Sequence, residues 1–410
     1  MNTKTIYLLF LLWLSYRPAV AQSGFYLPPG KQQMDIPFEY VNNFIILNLT
    51  INKRLPLKFI FDTGAEHTIL SKREISDLLN IRYEREFKFT GSDMKTELIA
   101  YLARDIRFDI TEKTAAPKED IFVLQEDYFR FEEYAGINIH GILAAGVFSK
   151  FIIKINYQKQ IITLYDRKYF KLHEDGFVPI PVEIFRNKIY FHTRIQVVPD
   201  SFAPVKLLLD TGAGLSLLLF SNTHPLVHPP ANAISSNIGM GLGGYLEGFT
   251  GRIVSLDFGP GTQQNVITYF QELDTTRDLQ YLNNRNGLIG NTLLNRYQII
   301  MDYEGEKIWL KPTKDVRKAF VYDRSGISFI ASGATLSTFA VQNVVPRSPA
   351  AEVDIRPGDI LVRVGATPAS FLSLQEVQNK LRKSPGKEIK LTLKRDGKRL
   401  KKKLVLRDLI

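Results

Sequence analysis

Short apolar runs that end on a carboxylate occur twice along this chain. Leu57-Lys58-Phe59-Ile60-Phe61 leads into Asp62, and Val205-Lys206-Leu207-Leu208-Leu209 leads into Asp210. Runs of this length, closed by a glycine-containing turn, predict buried strands, so each Asp is delivered to the turn that follows its strand. The two turns carry the same four residues, Asp62-Thr63-Gly64-Ala65 and Asp210-Thr211-Gly212-Ala213. The agreement extends along both halves. Ile36-Pro37-Phe38-Glu39 and Ile180-Pro181-Val182-Glu183 open them, and strands are predicted over Phe44 to Ile51 and Ile189 to Val198. Gly141-Ile142-Leu143-Ala144 and Gly287-Leu288-Ile289-Gly290 stand at nearly equal separations downstream. A short helix is then predicted in each copy, Phe148 to Phe151 and Thr292 to Tyr297, followed by hairpins over Ile152 to Tyr165 and Gln298 to Leu310. The second hairpin is expected to turn at Glu304-Gly305. A repeat this long reads as a duplicated β-rich domain and not as a solenoid.

Beyond Leu310 the pattern changes. A unit of about ninety residues is predicted from about Ala319, with a strand over Phe339 to Val345, a helix over Leu374 to Arg382, and strands near Ile389 to Leu393 and Leu400 to Leu406. At 410 residues the chain suits two or three domains. Its start is of another kind: Lys4, the apolar run Ile6 to Leu14, then Ala19-Val20-Ala21. Residues 1–21 read as a secretory signal peptide, because nine apolar residues are too few for a bilayer that needs about twenty. The expected divisions are 1–21 for the signal peptide, 34–175 and 176–312 for two lobes, and 319–410 for the last unit.

The formal charge of +11 is concentrated at one end. Residues 380–410 hold thirteen Lys or Arg against three Asp or Glu, and the body carrying the repeat is close to neutral. A nucleic-acid reader would carry basic side chains on its reading face, so that class is set aside. The run Lys398 to Leu406 reads as a solvated edge strand whose lysines discourage edge-to-edge pairing. With no Cys in the chain there is no disulfide and no thiol for a lipid anchor. The expected location is periplasmic or secreted.

Two carboxyls brought within a few Å cannot both ionise cheaply, so the pair holds one proton over a wide pH range. One member can then act as base on a water while the other acts as acid on a carbonyl. Thr63 and Thr211 can lock the two loops together, and Gly64 and Gly212 let backbone approach the carboxyls. Between motif and downstream glycine, Thr90-Gly91-Ser92-Asp93 predicts a hairpin turn in the first half. In the second half Gly239-Met240-Gly241-Leu242-Gly243-Gly244-Tyr245 predicts a mobile lid over substrate, with Gly91, Ser92, Gly243, Gly244 and Tyr245 as candidate contacts. The glycine-rich lid is expected on the second lobe only. The six His are scattered without HExxH, and there is no GxSxG, so metal and serine-nucleophile chemistry are set aside.

The doubled DTGA motifs, each with its later glycine-hydrophobic segment, resemble the aspartic peptidases, specifically the retroviral-protease-like branch. Gly287-Leu288-Ile289-Gly290-Asn291-Thr292-Leu293-Leu294 is similar to that branch's second signature. The resemblance implies a mostly β, two-lobed pepsin or retropepsin-like fold, an endopeptidase cleft, no cofactor, and Asp62 and Asp210 as the catalytic pair. Both motifs lie in one chain, which implies a monomer. Ala144 departs from the pattern where the second lobe has Gly290. Ala65 and Ala213 donate nothing to the carboxyls, unlike the Ser or Thr of pepsin-like enzymes, which predicts a mildly acidic to near-neutral optimum.

Ser348-Pro349-Ala350-Ala351 followed by Arg356-Pro357-Gly358-Asp359-Ile360-Leu361 resembles PDZ domains of bacterial secreted proteases, small α+β units. Ser325-Gly326-Ile327-Ser328-Phe329 matches the carboxylate-loop position, so Gly326, Ile327, Ser328 and Phe329 are candidate contacts for a C-terminal peptide. Two function classes result: an extracytoplasmic aspartic endopeptidase with a PDZ module that recruits substrate or partners, or a catalytically inactive peptide-binding scaffold.

Overall fold

The computed structural model describes residues 25–91, 96–111, 114–241, 244–274, 276 and 280–410. The expected signal peptide, Ser92 and Gly243 therefore lie outside the described residues.

The chain is mostly β, in two lobes and a small α+β domain. Each lobe is an eight-stranded sheet, and the strand orders agree element by element. The first runs Glu39–Val41, Phe44–Ile51, Leu55–Asp62, Gly141–Ala144, Thr68–Leu70, Thr114–Leu124, Glu97–Thr111, Arg85–Thr90. The second runs Glu183–Phe185, Lys188–Gln196, Phe202–Leu209, Gly287–Ile289, Leu217–Phe220, Gly261–Gln271, Gly244–Phe258, Ile234–Gly241. In both, the strand before the motif pairs in parallel with the later glycine strand, Asp62 opposite Ala144 and Leu209 opposite Ile289. The duplication seen in sequence is thus a duplication of topology.

A third sheet joins the lobes. Its six strands run Gln33–Pro37, Ile161–Asp166, Phe151–Asn156, Tyr297–Asp302, Lys307–Pro312, Val178–Pro181, and its two inner strands come from different lobes, Ile152 facing Asp302 and Ile155 facing Ile299. Strand pairing within this sheet decides the helix ends, Phe151 facing Asp166 and Tyr297 facing Pro312. The predicted helix over Phe148 to Phe151 is instead a 3-10 turn over Ala145–Phe148, and Phe151 already belongs to the strand. Likewise the second helix spans Asn291–Leu294 and Tyr297 opens a strand. A β-branched run claimed by a neighbouring strand overrides the local helical reading. The hairpin turn is centred on Glu304-Gly305, the expected pair, within a four-residue link, Tyr303 to Glu306, in which Glu306, at φ +47°, takes the left-handed conformation. Asp302 Oδ1 accepts from the Gly305 N–H at 2.8 Å, and a Cβ at Gly305 would lie 2.3 Å from Asp302 Oδ2. That side chain holds the turn.

The last domain has the sheet order Ile327–Ser332, Thr338–Val344, Ile360–Val364, Glu388–Arg395, Lys398–Val405, all neighbours antiparallel. Helix Leu374–Leu381 starts with a capping box, Ser373 Oγ accepting from the Glu376 N–H and Glu376 accepting from the Ser373 N–H at 2.7 Å. The lysine-rich strand is the sheet edge, its side chains alternating outward as its pattern predicts. Arg252 of the second lobe donates to the carbonyls of Phe320 (3.1 Å) and Ile410 (3.4 Å), which fastens this domain to the body.

Candidate active site

The parallel strand pairs place Asp62 and Asp210 side by side at the junction of the lobes. The two carboxyls are close enough that each acts on the other's ionisation. Each is also held from its own loop: Asp62 Oδ1 accepts from the N–H of Gly64 (2.6 Å) and Ala65 (3.1 Å), and Asp210 Oδ1 from that of Gly212 (2.9 Å). Burial raises both carboxyl pKa values, Asp62 well above the ordinary range, where the neighbouring Asp210 adds to the effect. The rise at Asp210 is opposed first by the positive charge of Arg285. The two carboxyls hold one proton between them over a wide pH range.

The threonines cross between lobes. Thr63 Oγ1 donates to the Leu209 carbonyl at 2.7 Å and accepts from the Thr211 N–H at 3.0 Å; Thr211 Oγ1 donates to the Phe61 carbonyl at 2.8 Å and accepts from the Thr63 N–H at 3.0 Å. Both threonines are fully buried, so these groups have no water to fall back on. The glycines cross as well. A Cβ at Gly64 would lie 2.7 Å from Asp210 Cγ, and one at Gly212 only 2.2 Å from Asp62 Oδ2. Each glycine thus lies against the opposite carboxyl. Gly212→Ala is expected to lower kcat by about a hundredfold, since a displacement near 1 Å costs that much, with an unchanged circular dichroism spectrum. Unchanged kcat would show that the two loops do not meet as described.

The departure at Ala144 has a geometric basis. Its ψ is 128°, whereas Gly290 has ψ −175°, and a Cβ there would lie 2.5 Å from the Ala213 carbonyl oxygen. The two lobes set this residue differently, so a methyl fits in one of them only.

Several residues at the junction escaped the sequence reading. Asn291, fully buried, donates to the carbonyls of Asn43 (2.7 Å) and Thr211 (2.6 Å) and accepts from the Tyr157 hydroxyl (2.7 Å). Glu66 faces Arg186 at 3.7 Å and Lys188 at 3.6 Å across the lobes. Burial lowers the Lys188 ammonium pKa against the pull of Glu66. The repeat held a signal for this: Asn42-Asn43 and Arg186-Asn187 are matching turns with positive φ, each facing the region of the other lobe's DTGA loop.

Each lobe carries a hairpin between its motif and its downstream glycine, Arg85–Thr90 with Glu97–Thr111 in the first and Ile234–Gly241 with Gly244–Phe258 in the second. In the first, the Gly91 N–H donates to the Thr96 carbonyl at 2.8 Å, and Phe87 and Phe89 pack edge-on against Phe122 at 5.3 and 5.0 Å. In the second, the glycines are drawn into a strand pair, Gly241 opposite Gly244 at φ +121° and Met240 opposite Tyr245. The two hairpins feed two apolar clusters, one containing Ala65 with Phe44, Phe122 and Phe131, the other Ala213 with Tyr190, Leu218 and Ile238. The dyad is thus flanked by an apolar wall on each side.

In the last domain, Gly326 has φ +80° and its N–H donates to Asp323 Oδ1 at 2.5 Å, while the Ile327 N–H donates to Ser325 Oγ at 3.0 Å. Ser328 and Phe329 lie at a bulge in the first strand of the sheet.

Among curated proteins none matches the chain in sequence. In structure it is similar to the Basic 7S globulin from soybean, with TM-score 0.41 and 9% identity over 69% of this chain and 95% of that one. It is also similar to the aspartic proteinase from Irpex lacteus, with TM-score 0.42 and 12% identity over 70% of this chain and 99% of that one. Residues 341–395 match the family model of the PDZ domain, and the C-terminal unit is a PDZ domain.

Proposed function

We propose that this chain is an extracytoplasmic aspartic endopeptidase of the retroviral-protease-like kind, with a PDZ domain that binds peptides. The observation that carries the reading is the meeting of Asp62 and Asp210 at the junction of two lobes, each against the other's glycine and clamped by reciprocal threonine bonds. A water between the carboxyls loses a proton to the ionised member of the pair and attacks the peptide carbonyl carbon, while the protonated member gives its proton to the carbonyl oxygen. The resulting gem-diol then expels the amine, which takes the proton from the first carboxyl as the second regains one from a diol hydroxyl. No atom of the enzyme joins the substrate. The apolar clusters on both sides of the dyad support a preference for extended peptides with apolar side chains next to the cut.

The test is a proteome-derived peptide library incubated with the protein lacking residues 1–21, with and without a statine-type mimic of the gem-diol. Internal cuts suppressed by the mimic are the expected result. Folded protein that cuts no peptide at any pH from 3 to 8 would move the assignment to the inactive scaffold.

A further inference from the structure

A PDZ domain takes up a peptide as an added strand along an exposed sheet edge, with a helix forming the other wall of the groove. Here that edge is Ile327–Ser332, and the helix packed beside it is Leu374–Leu381. The first lobe already occupies the place. Its short helix Phe131–Ala135 packs against the Ile327–Ser332 strand. At its end Gly136, with φ +69°, comes so near the groove helix that a Cβ there would lie 2.9 Å from Leu374 Cβ. The carboxylate loop is occupied as well: Asp323 Oδ1 accepts from the N–H groups of Ser325 (2.9 Å) and Gly326 (2.5 Å).

The other side of the same helix belongs to the catalytic body. Phe131 and Ala135 are buried in the apolar cluster that includes Ala65 of the DTGA loop, and the Phe131 ring lies 5.9 Å from that of Phe44. Tyr134 is within electrostatic reach of Tyr245 on the second hairpin and of Arg382 at the end of the groove helix, and burial holds its hydroxyl pKa above the usual range. One five-residue helix thus touches both the PDZ groove and a cleft wall.

We propose that the Phe131–Ala135 helix is the resident occupant of the PDZ groove, and that an extended peptide with a free C-terminal carboxylate competes with it for the Ile327–Ser332 edge. Peptide uptake and the closed position of the cleft wall are then exclusive alternatives, and a PDZ ligand changes cleavage by moving the helix. Only this last consequence rests on the endopeptidase reading; the competition does not.

The chain has no cysteine of its own, so the pair Gly136→Cys and Leu374→Cys can be joined without competing thiols. In an Asp62→Asn background, glutathione disulfide locks helix to groove and dithiothreitol frees it. Uptake of fluorescein-labelled heptapeptides with free C termini is read by polarisation in both states. Roughly tenfold or greater weakening on oxidation is expected, because the competent open state is withdrawn. A second measurement needs no cysteine: with the Asp62→Asn chain, saturating peptide is expected to speed hydrogen exchange at the amides of residues 131–136. Equal affinity in both redox states, no uptake by the reduced protein, or uptake without faster exchange would each overturn the proposal. Binding is read without turnover, so an idle dyad leaves this result intact, and an active dyad does not rescue it.

Discussion

Replacing Asp62 by Asn is expected to lower peptide hydrolysis by about 10²–10⁴-fold, the range associated with loss of a positioned general acid or base. Asp210→Asn is expected to do the same by removing the other partner. The variants differ from a folding defect in their pH behaviour. In the unaltered chain both carboxyls are raised by burial, Asp62 the more because of Asp210 beside it. Activity needs one proton on the pair, so it is lost on the alkaline side as pH rises through the upper, raised value. That limb therefore lies above the ordinary carboxylate range, and the optimum is mildly acidic to near neutral. A rate maximum below about pH 3 would contradict this.

Stability runs through the same linkage. A carboxyl whose folded pKa lies above its unfolded value contributes stability in full below the unfolded pKa, and that contribution is lost as pH rises through the folded one. At pH 8 the second ionisation opposes folding, and Asn cannot ionise. Asp62→Asn is thus expected to melt higher than the unaltered chain at pH 8, with the gain shrinking toward pH 4. A uniform loss of melting temperature at every pH would show that the two carboxyls are not buried together.

Thr63→Val removes an oxygen that serves both lobes. The Leu209 carbonyl and the Thr211 N–H lose their partner in a site with no exposure. Each buried group left unpaired costs about 1–3 kcal/mol, so a total of roughly 2–5 kcal/mol is expected. The measurement is the denaturant midpoint at constant slope, which separates a change in stability from a change in compactness. Thr211→Val is expected to cost a similar amount by symmetry of the bonds, and the double variant less than the sum, since both remove one network. Hydrolysis by Thr63→Val is expected to fall as well, because the carboxyls ride on the same loops. Full stability and activity in this variant would mean that the lobes do not lock through these threonines.

The parts of the molecule legible in sequence share one property: they are local. Strand Phe44–Ile51 matches the apolar run that predicted it, and the PDZ helix begins at the Ser373–Glu376 pair and ends within one residue of expectation. Short-range periodicity and caps suffice for such elements. The helix ends near Phe151 and Tyr297 failed for the converse reason. Those residues are β-strand because hairpin partners claim them, Asp166 opposite Phe151 and Pro312 opposite Tyr297, and a window confined to the helix contains neither partner. The glycine-rich segment of the second lobe read as mobile because glycine is permissive; a partner strand extending to Phe258 orders the described part of it.

By itself, the sequence determined that two strands each end in Asp-Thr-Gly-Ala, that two halves repeat, and that a third unit follows with a PDZ-type turn. Spacing, turn chemistry and side-chain period are properties of contiguous residues. Only the tertiary structure decided what those residues meet. Gly212 lies against the other lobe's Asp62, Thr63 bonds the carbonyl before Asp210, Asn291 reaches Asn43, and a first-lobe helix packs on the PDZ strand. Each of these is a contact between residues far apart in the chain, fixed by the packing and hydrogen-bond satisfaction of the whole and not by any local pattern.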